Sequence, residues 1–213
     1  MSSRGDNSLR LLFVSIFVLA FIGYAESKDF GSWHFGFGHR YSLPMGSLGN
    51  WFSSGDSWGF SLGYEKNSKG RWSVFLESVA FEKENKNRLF YKDIELSLRL
   101  YGCGFERAYI FPSIVKFINP LVVGRVGIYR WFSLRGEYDT GELFVPERRQ
   151  KDWSWGFNIG VGMKFSAFRH VYFESDFCFR MVVGELWPSL ALRFENVSTF
   201  QDLGFSIRVF FCL

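Results

Sequence analysis

The sequence lacks the features of a helical membrane protein, a disulfide-stapled domain and a metal centre alike. No run of about 20 apolar residues occurs, so no helix can cross roughly 30 Å of hydrocarbon. Only 5 of the 213 residues are proline and 3 are cysteine. Cys103, Cys178 and Cys212 show no C-x-x-C spacing and no nearby histidine in sequence. A zinc site is therefore unsupported, and an odd number of cysteines argues against a disulfide framework. They read as small apolar residues with at most one pair. Charge of one sign is scarce too. The formal net charge is +4, spread along the chain, which gives no sign of nucleic-acid binding.

What the chain has in abundance is rings. Phe occurs 27 times, Trp 8 and Tyr 9, yet the mean hydropathy is −0.00. That much apolar mass excludes disorder. The length suits a single domain large enough to close around itself.

Residues 1–25 read as a cleavable export signal. Arg4 and Arg10 form a basic start, Leu11 to Gly23 an apolar stretch too short to span a bilayer, and Gly23 and Ala25 the small residues before a cleavage. The remaining 26–213 form one domain.

That domain alternates with period two in eight segments. Trp33, Phe35, Phe37, His39 and Tyr41 share one face of the first. Trp58, Phe60, Leu62 and Tyr64 do so in the second, and Trp72, Val74 and Leu76 in the third. Ile94, Leu96, Leu98 and Leu100 follow, then Val122 to Ile128, Trp153 to Phe165, Val171 to Met181 and Phe205 to Leu213. The segment 102–119 shows no clear pattern. Clear segments have the 9–12 residues a tilted strand needs to cross a bilayer. Long loops are expected at 42–57, 133–152 and 182–202, alternating with short turns, as in up-and-down barrels.

The opposite faces carry glycine, serine and mixed charge. Rows of glycine weaken a water-facing strand but fit the crowded interior of a narrow barrel. The polar face therefore belongs inside, with Arg40, Glu65, Glu77, Glu95, Arg99, Arg125, Lys164, Glu174, Asp176 and Arg180 pairing across the lumen. The aromatic face then meets lipid, with Trp33, Tyr41, Trp58, Tyr64, Trp72 and Trp153 placed for interfacial girdles. The fold class expected is all-β, an eight-stranded antiparallel up-and-down transmembrane barrel. The competing class is a secreted, soluble lipocalin-like barrel holding a hydrophobic ligand.

The segment Gly36-Phe37-Gly38-His39-Arg40-Tyr41, the run Gly160-Val161-Gly162 and the last strand to Leu213 resemble small eight-stranded bacterial outer-membrane barrels of the OmpA/OmpX type. The resemblance covers about residues 30–213 and is one of pattern. It implies an outer-membrane monomer surrounded by lipid and lipopolysaccharide, inserted by the barrel-assembly machinery. Such barrels typically end in an aromatic residue; this sequence ends Phe211-Cys212-Leu213.

No chemistry of catalysis stands out. Barrels similar to this one include lipid A deacylases, which place a serine two residues after a histidine. Here Gly36, Tyr41 and Tyr172 follow His34, His39 and His170 at that spacing. Glu174 and Asp176 share a face, but arginines and lysine on the same face favour ion pairing over acid–base work. The expectation is no enzyme, no metal and no cofactor, with a structural, adhesive or small-ligand-handling role. The charged loop at 133–152 is a place where anionic lipopolysaccharide could be touched.

Overall fold

The computed structural model describes residues 31–66, 70–89, 94–113, 115, 117–139, 141, 144–166, 170–186 and 197–213. The export signal expected at 1–25 lies outside them. In chain order the elements are β1 (Ser32–Met45), a one-turn helix α1 (Leu48–Trp51), β2 (Phe52–Lys66), β3 (Gly70–Glu84), β4 (Leu96–Ile110), β5 (Ile118–Arg135), the two-residue strands β6 (Tyr138–Asp139) and β7 (Phe144–Val145), β8 (Arg148–Ser166), β9 (Val171–Leu186) and β10 (Val197–Cys212). The eight long strands close into a barrel in the order β1-β10-β9-β8-β5-β4-β3-β2. Every neighbour is antiparallel, and the seam is sealed from His34↔Cys212 to Met45↔Gln201.

The segment without clear pattern is mostly strand. β4 continues through Gly102 to Ile110 and β5 begins at Ile118, so only 111–117 connect them. Connections at this end of the barrel, the turn end, are therefore all short. The connections at the other, loop end are shorter than the sequence suggested, because the strands run on into 42–45, 52–57, 133–135, 148–152, 182–186 and 197–202. Strand lengths of 14 to 19 residues exceed the 9–11 that a bilayer needs.

The surplus explains a second difference. Along β4, Leu96, Leu98 and Leu100 are buried inside the barrel, while Ser97 and Arg99, and Glu95 just before the strand, face outward. Ten residues further along the same strand the chemistry is reversed: Glu106 is inside, and Phe105 and Tyr109 are outside. β3 repeats this, with Arg71 in and Trp72 out at the turn end, Phe81 in and Glu82 out at the loop end. Glu95 and Arg99 thus do not belong to the lumen. Their half of the strand stands where its outer face meets water, so polar residues belong outside and the leucines supply a core.

That core fills the loop end. Leu48 and Trp51 of α1 pack inward with Phe52, Val79, Phe81, Leu96, Leu98, Leu100, Tyr129, Trp131, Val182 and Phe200 in one cluster. Val145 of the β6–β7 hairpin joins it, and Arg135 Nη2 donates to Pro146 O at 2.5 Å, drawing that hairpin over the mouth. Asn85 ties the next loop down, its amide donating to Gly49 O at 2.7 Å and its backbone N–H to Trp51 O at 2.8 Å. The sequence reading expected glycine, serine and charge throughout the lumen. Instead, the lumen is layered, apolar at the loop end and ionic below.

Outside, a continuous belt of large apolar residues includes Trp72, Phe105, Val126, Val161 and Phe177, each about two-thirds exposed. Girdles edge it. At the turn end Trp33 and Tyr64 pack at 5.4 Å, and the Arg107 guanidinium lies 4.6 Å from the Trp72 ring and 4.7 Å from Tyr109. At the loop end Arg130 sits 5.3 Å from both Phe132 and Trp153. A cation over an aromatic face at an interface keeps its charge in water while its stem covers apolar surface.

Candidate functional site: the ion-paired lumen

Alternation delivers one inward side chain from each strand at each level of the barrel. Below the apolar core, six carboxylates face six cations: Glu65, Glu77, Glu106, Glu174, Asp176 and Asp202 against Arg40, Arg71, Arg125, Lys164, Arg180 and Arg208. Their formal charges cancel.

Glu106 is the hub of the middle layer. It accepts from Arg71 Nη2 at 2.9 Å, Arg125 Nε at 2.7 Å and Arg208 Nη1 at 2.5 Å. Arg71 also grips Glu174 with both terminal nitrogens, donates to Tyr172 Oη at 2.7 Å, and lies 4.0 Å from the Phe210 ring. Phe210 in turn stacks on Tyr172 at 4.9 Å. Asp176 accepts from Ser206 Oγ at 2.6 Å and from Arg208.

Nearer the core, Asp202 is held between Arg40 at 2.6 Å and Arg180 at 2.8 Å. Arg180 extends to Glu77, which also accepts from Tyr129 Oη at 2.7 Å. Gly204 makes room for this layer. A Cβ there would lie 2.2 Å from Arg40 Nε.

At the turn end, Lys164 Nζ donates to Glu65 at 2.9 and 3.2 Å. Glu65 Oε2 lies 3.6 Å from His34 Nε2. His34 is buried with its Nε2 2.7 Å from Ser32 Oγ and its Nδ1 3.3 Å from Cys212 Sγ.

Of the expected residues, Arg40, Glu65, Glu77, Arg125, Lys164, Glu174, Asp176 and Arg180 point into the lumen and pair there. Arg99 pairs instead with Glu82 on the outer surface at 2.5 Å, and Glu95 is exposed beside it. Sequence reasoning missed Arg71, Glu106, Asp202 and Arg208. Arg71 bordered a turn, while Glu106 and Asp202 fell in stretches read as unassigned or loop. Arg208 was legible: it shares parity with Gly204 and Ser206.

All three cysteines are free. Cys178 is buried with its Sγ 3.6 Å from Gly204 O, whereas Cys103 is exposed on the outer face. Among the described residues no group of three or more metal-ligating side chains is placed to hold an ion. The lumen holds a cavity of about 40 Å³ beside Gly36, Gly38, Arg40, Ser61, Arg125 and Arg208, room for a few waters and no larger solute.

No family model matches the chain, and no curated protein sequence does. Solved structures do. Neisserial surface protein A matches with a TM-score of 0.55 at 14% identity, over 84% of this chain and 96% of that one. A major outer membrane protein from Thermus thermophilus matches with a TM-score of 0.53 at 6% identity, over 84% and 99%. At such identities the likeness is one of fold: this chain has the architecture of a small eight-stranded outer-membrane barrel.

Proposed function

We propose that the protein is a closed outer-membrane barrel of a bacterial envelope, a scaffold that acts through its loop end in structural or adhesive contacts. The observation that carries this reading is the reversal of polarity along β3 and β4. A soluble barrel keeps one solvent along the whole of its outer face. Here the outer face passes from Trp72, Phe105 and Tyr109 to Glu82 and Arg99 on the same strands, with Glu95 exposed just before β4, as a wall does that leaves lipid for water. The lipocalin-like alternative would need an apolar cavity in the middle of the barrel, where this chain places its ion pairs.

The layered lumen argues for a scaffold over a channel, since the apolar core blocks the loop end and the ion pairs fill the rest. Beyond the belt, the outer ends of β3, β4, β5 and β8 frame a groove of about 880 Å³ lined by Glu82, Glu95, Arg99, Arg149 and Lys151. To Arg130, Arg149 and Lys151, exposed on the outer face toward the loop end, we assign contact with lipopolysaccharide phosphates.

The test is refolding without residues 1–25. The chain is expected to need detergent, to migrate differently on a gel when unheated, and to give no large, stable conductance in a planar bilayer. A folded monomer in plain buffer would overturn the membrane reading. A steady, large conductance would overturn the closed lumen.

A further inference from the structure

We propose that the outer face of β1 and β2 around His39 and Asp56 is the contact surface of a two-fold dimer, in which the histidine of each copy meets the aspartate of the other within the membrane. The depth of this contact rests on the outer-membrane reading above. The choice of a second copy, where the resemblance implied a monomer, rests on the pattern of the face itself.

An ion pair interrupts the apolar belt here. His39 Nε2 lies 3.3 Å from Asp56 Oδ1, and the two side chains remain 38% and 47% exposed. Neither stands at the edge of the belt. On the outer face of β1, Trp33, Phe35 and Phe37 precede His39, and Tyr41, Leu43 and Met45 follow it. Asp56 is the register partner of Tyr41 on the adjacent strand. The girdle arginines Arg107 and Arg130 reach water along their stems, but an imidazole at this depth does not. Among the described residues, no second polar partner meets either side chain. Hydrocarbon offers none, and ionisable groups inside a membrane are ordinarily turned toward protein.

The surroundings have the relief of a protein contact. Beside the pair, a groove of about 260 Å³ runs over Gly38 between Trp58 on β2 and Phe205 and Ile207 on β10. Trp58 stands half-exposed as one wall, stacked on Phe37 at 5.4 Å and 4.4 Å from the His39 ring. Beyond that wall, β3 presents only Ser78 and Ala80, the register partners of Trp58 and Asp56. Small side chains there let a neighbouring wall come close.

Symmetry selects the occupant. Two copies inserted by the same route stand the same way up and carry the pair at the same depth. A two-fold axis along the membrane normal, set between β1 and β2, turns the β1 side of one copy toward the β2 side of the other. Histidine then faces aspartate twice. The same rotation sets the Trp58 wall of each copy against the groove of its partner, which lies on the β1–β10 side. Charge and shape are therefore satisfied by one operation, whereas an acyl chain fills the groove and leaves the pair unanswered.

The full chain, refolded in detergent micelles, is followed by sedimentation equilibrium, and heat-modifiable migration on a gel confirms that each variant is folded. Wild type is expected in a monomer–dimer equilibrium. His39→Asp and Asp56→His should each weaken dimerisation by roughly tenfold or more. Mixed in equal amounts, the two variants should associate with each other about as well as wild type does with itself. One chain then brings two acids and the other two histidines, and only the mixed dimer sets acid against imidazole at both contacts. Such mutual rescue cannot arise from damage to either barrel alone. Single variants that dimerise as well as wild type, or a mixture no better than its components, overturn the proposal. So does a wild type that needs detergent yet stays monomeric; a lipid retained by that monomer, found by mass spectrometry, would give the groove to lipid. A folded monomer in plain buffer overturns both readings, whereas a detergent-bound monomer overturns the dimer alone.

Discussion

Arg71 and Glu174 form a two-pronged ion pair across the barrel, Nη1 to Oε1 at 2.6 Å and Nη2 to Oε2 at 3.0 Å. The two residues stand 103 positions apart, on β3 and β9, and neither side chain is reached by solvent. A buried, forked pair of this kind is geometrically specific, but its net contribution to stability is small because both ions lose their hydration. Losing one partner is the costly event.

A double-substitution cycle tests this directly. Arg71→Met is expected to cost about 3–5 kcal/mol, since it leaves Glu174 to Arg208 alone and strips Glu106 of one donor. Arg71→Met with Glu174→Leu should cost clearly less than the two single changes added together. Urea unfolding in micelles, followed by tryptophan emission, gives the numbers; strict additivity would refute the coupling.

Position along the strand should decide the worth of a pair. Glu106→Gln removes the charge that three buried arginines share, and a loss of about 3 kcal/mol or more is expected. Arg99→Gln breaks only the exposed contact to Glu82 and should cost less than about 1 kcal/mol. The same unfolding measurement compares them, and similar losses would contradict the assignment of Arg99 to the outer surface.

Thiol labelling can read the facing of β4 at its loop end. In a background with the native cysteines replaced by serine, Ser97→Cys should react quickly with a bulky water-soluble maleimide. Leu98→Cys, within the apolar core, should resist until the chain is unfolded. The opposite order would restore the facing that simple polarity suggested.

Much of the barrel was legible in the sequence, and the errors share one cause. From Trp153 to Phe165, or from Trp33 to Tyr41, one polarity rule holds along the segment because its outer face meets a single solvent. β4 crosses a boundary. The rule that polar faces inward was right for Glu106 and wrong for Glu95 and Arg99, and period two alone cannot mark where the surroundings change. The pattern also failed at 102–119, where Gly102, Cys103 and Gly104 blur the alternation. Their reason is tertiary: a Cβ at Gly102 would lie 2.4 Å from the Tyr129 ring. Pairings such as Arg71 with Glu174 depend on which strands face each other across the closed barrel, which no local pattern encodes.

Two glycines on neighbouring strands offer a matched steric test. A Cβ at Gly162 would lie 2.0 Å from Ser175 O and 2.7 Å from Asp176 Cα, whereas one at Gly124 meets nothing within 4 Å. Gly162→Ala must push β8 and β9 apart, and a cost of about 1–3 kcal/mol is expected. Gly124→Ala should be nearly silent. Unfolding midpoints in urea decide, and equal effects would refute the close approach of the two strands.

Every barrel strand contributes at least one ion to the lumen, from Arg40 on β1 to Arg208 on β10. The charges therefore cannot be satisfied piecemeal. A sheet still open between its first and last strands carries arginines and carboxylates with missing partners, along with two bare backbone edges, and hydrocarbon penalises both. Zipping the seam ends both penalties in one event, so assembly becomes a matter of all or nothing, and a half-made cylinder has no resting place in a bilayer.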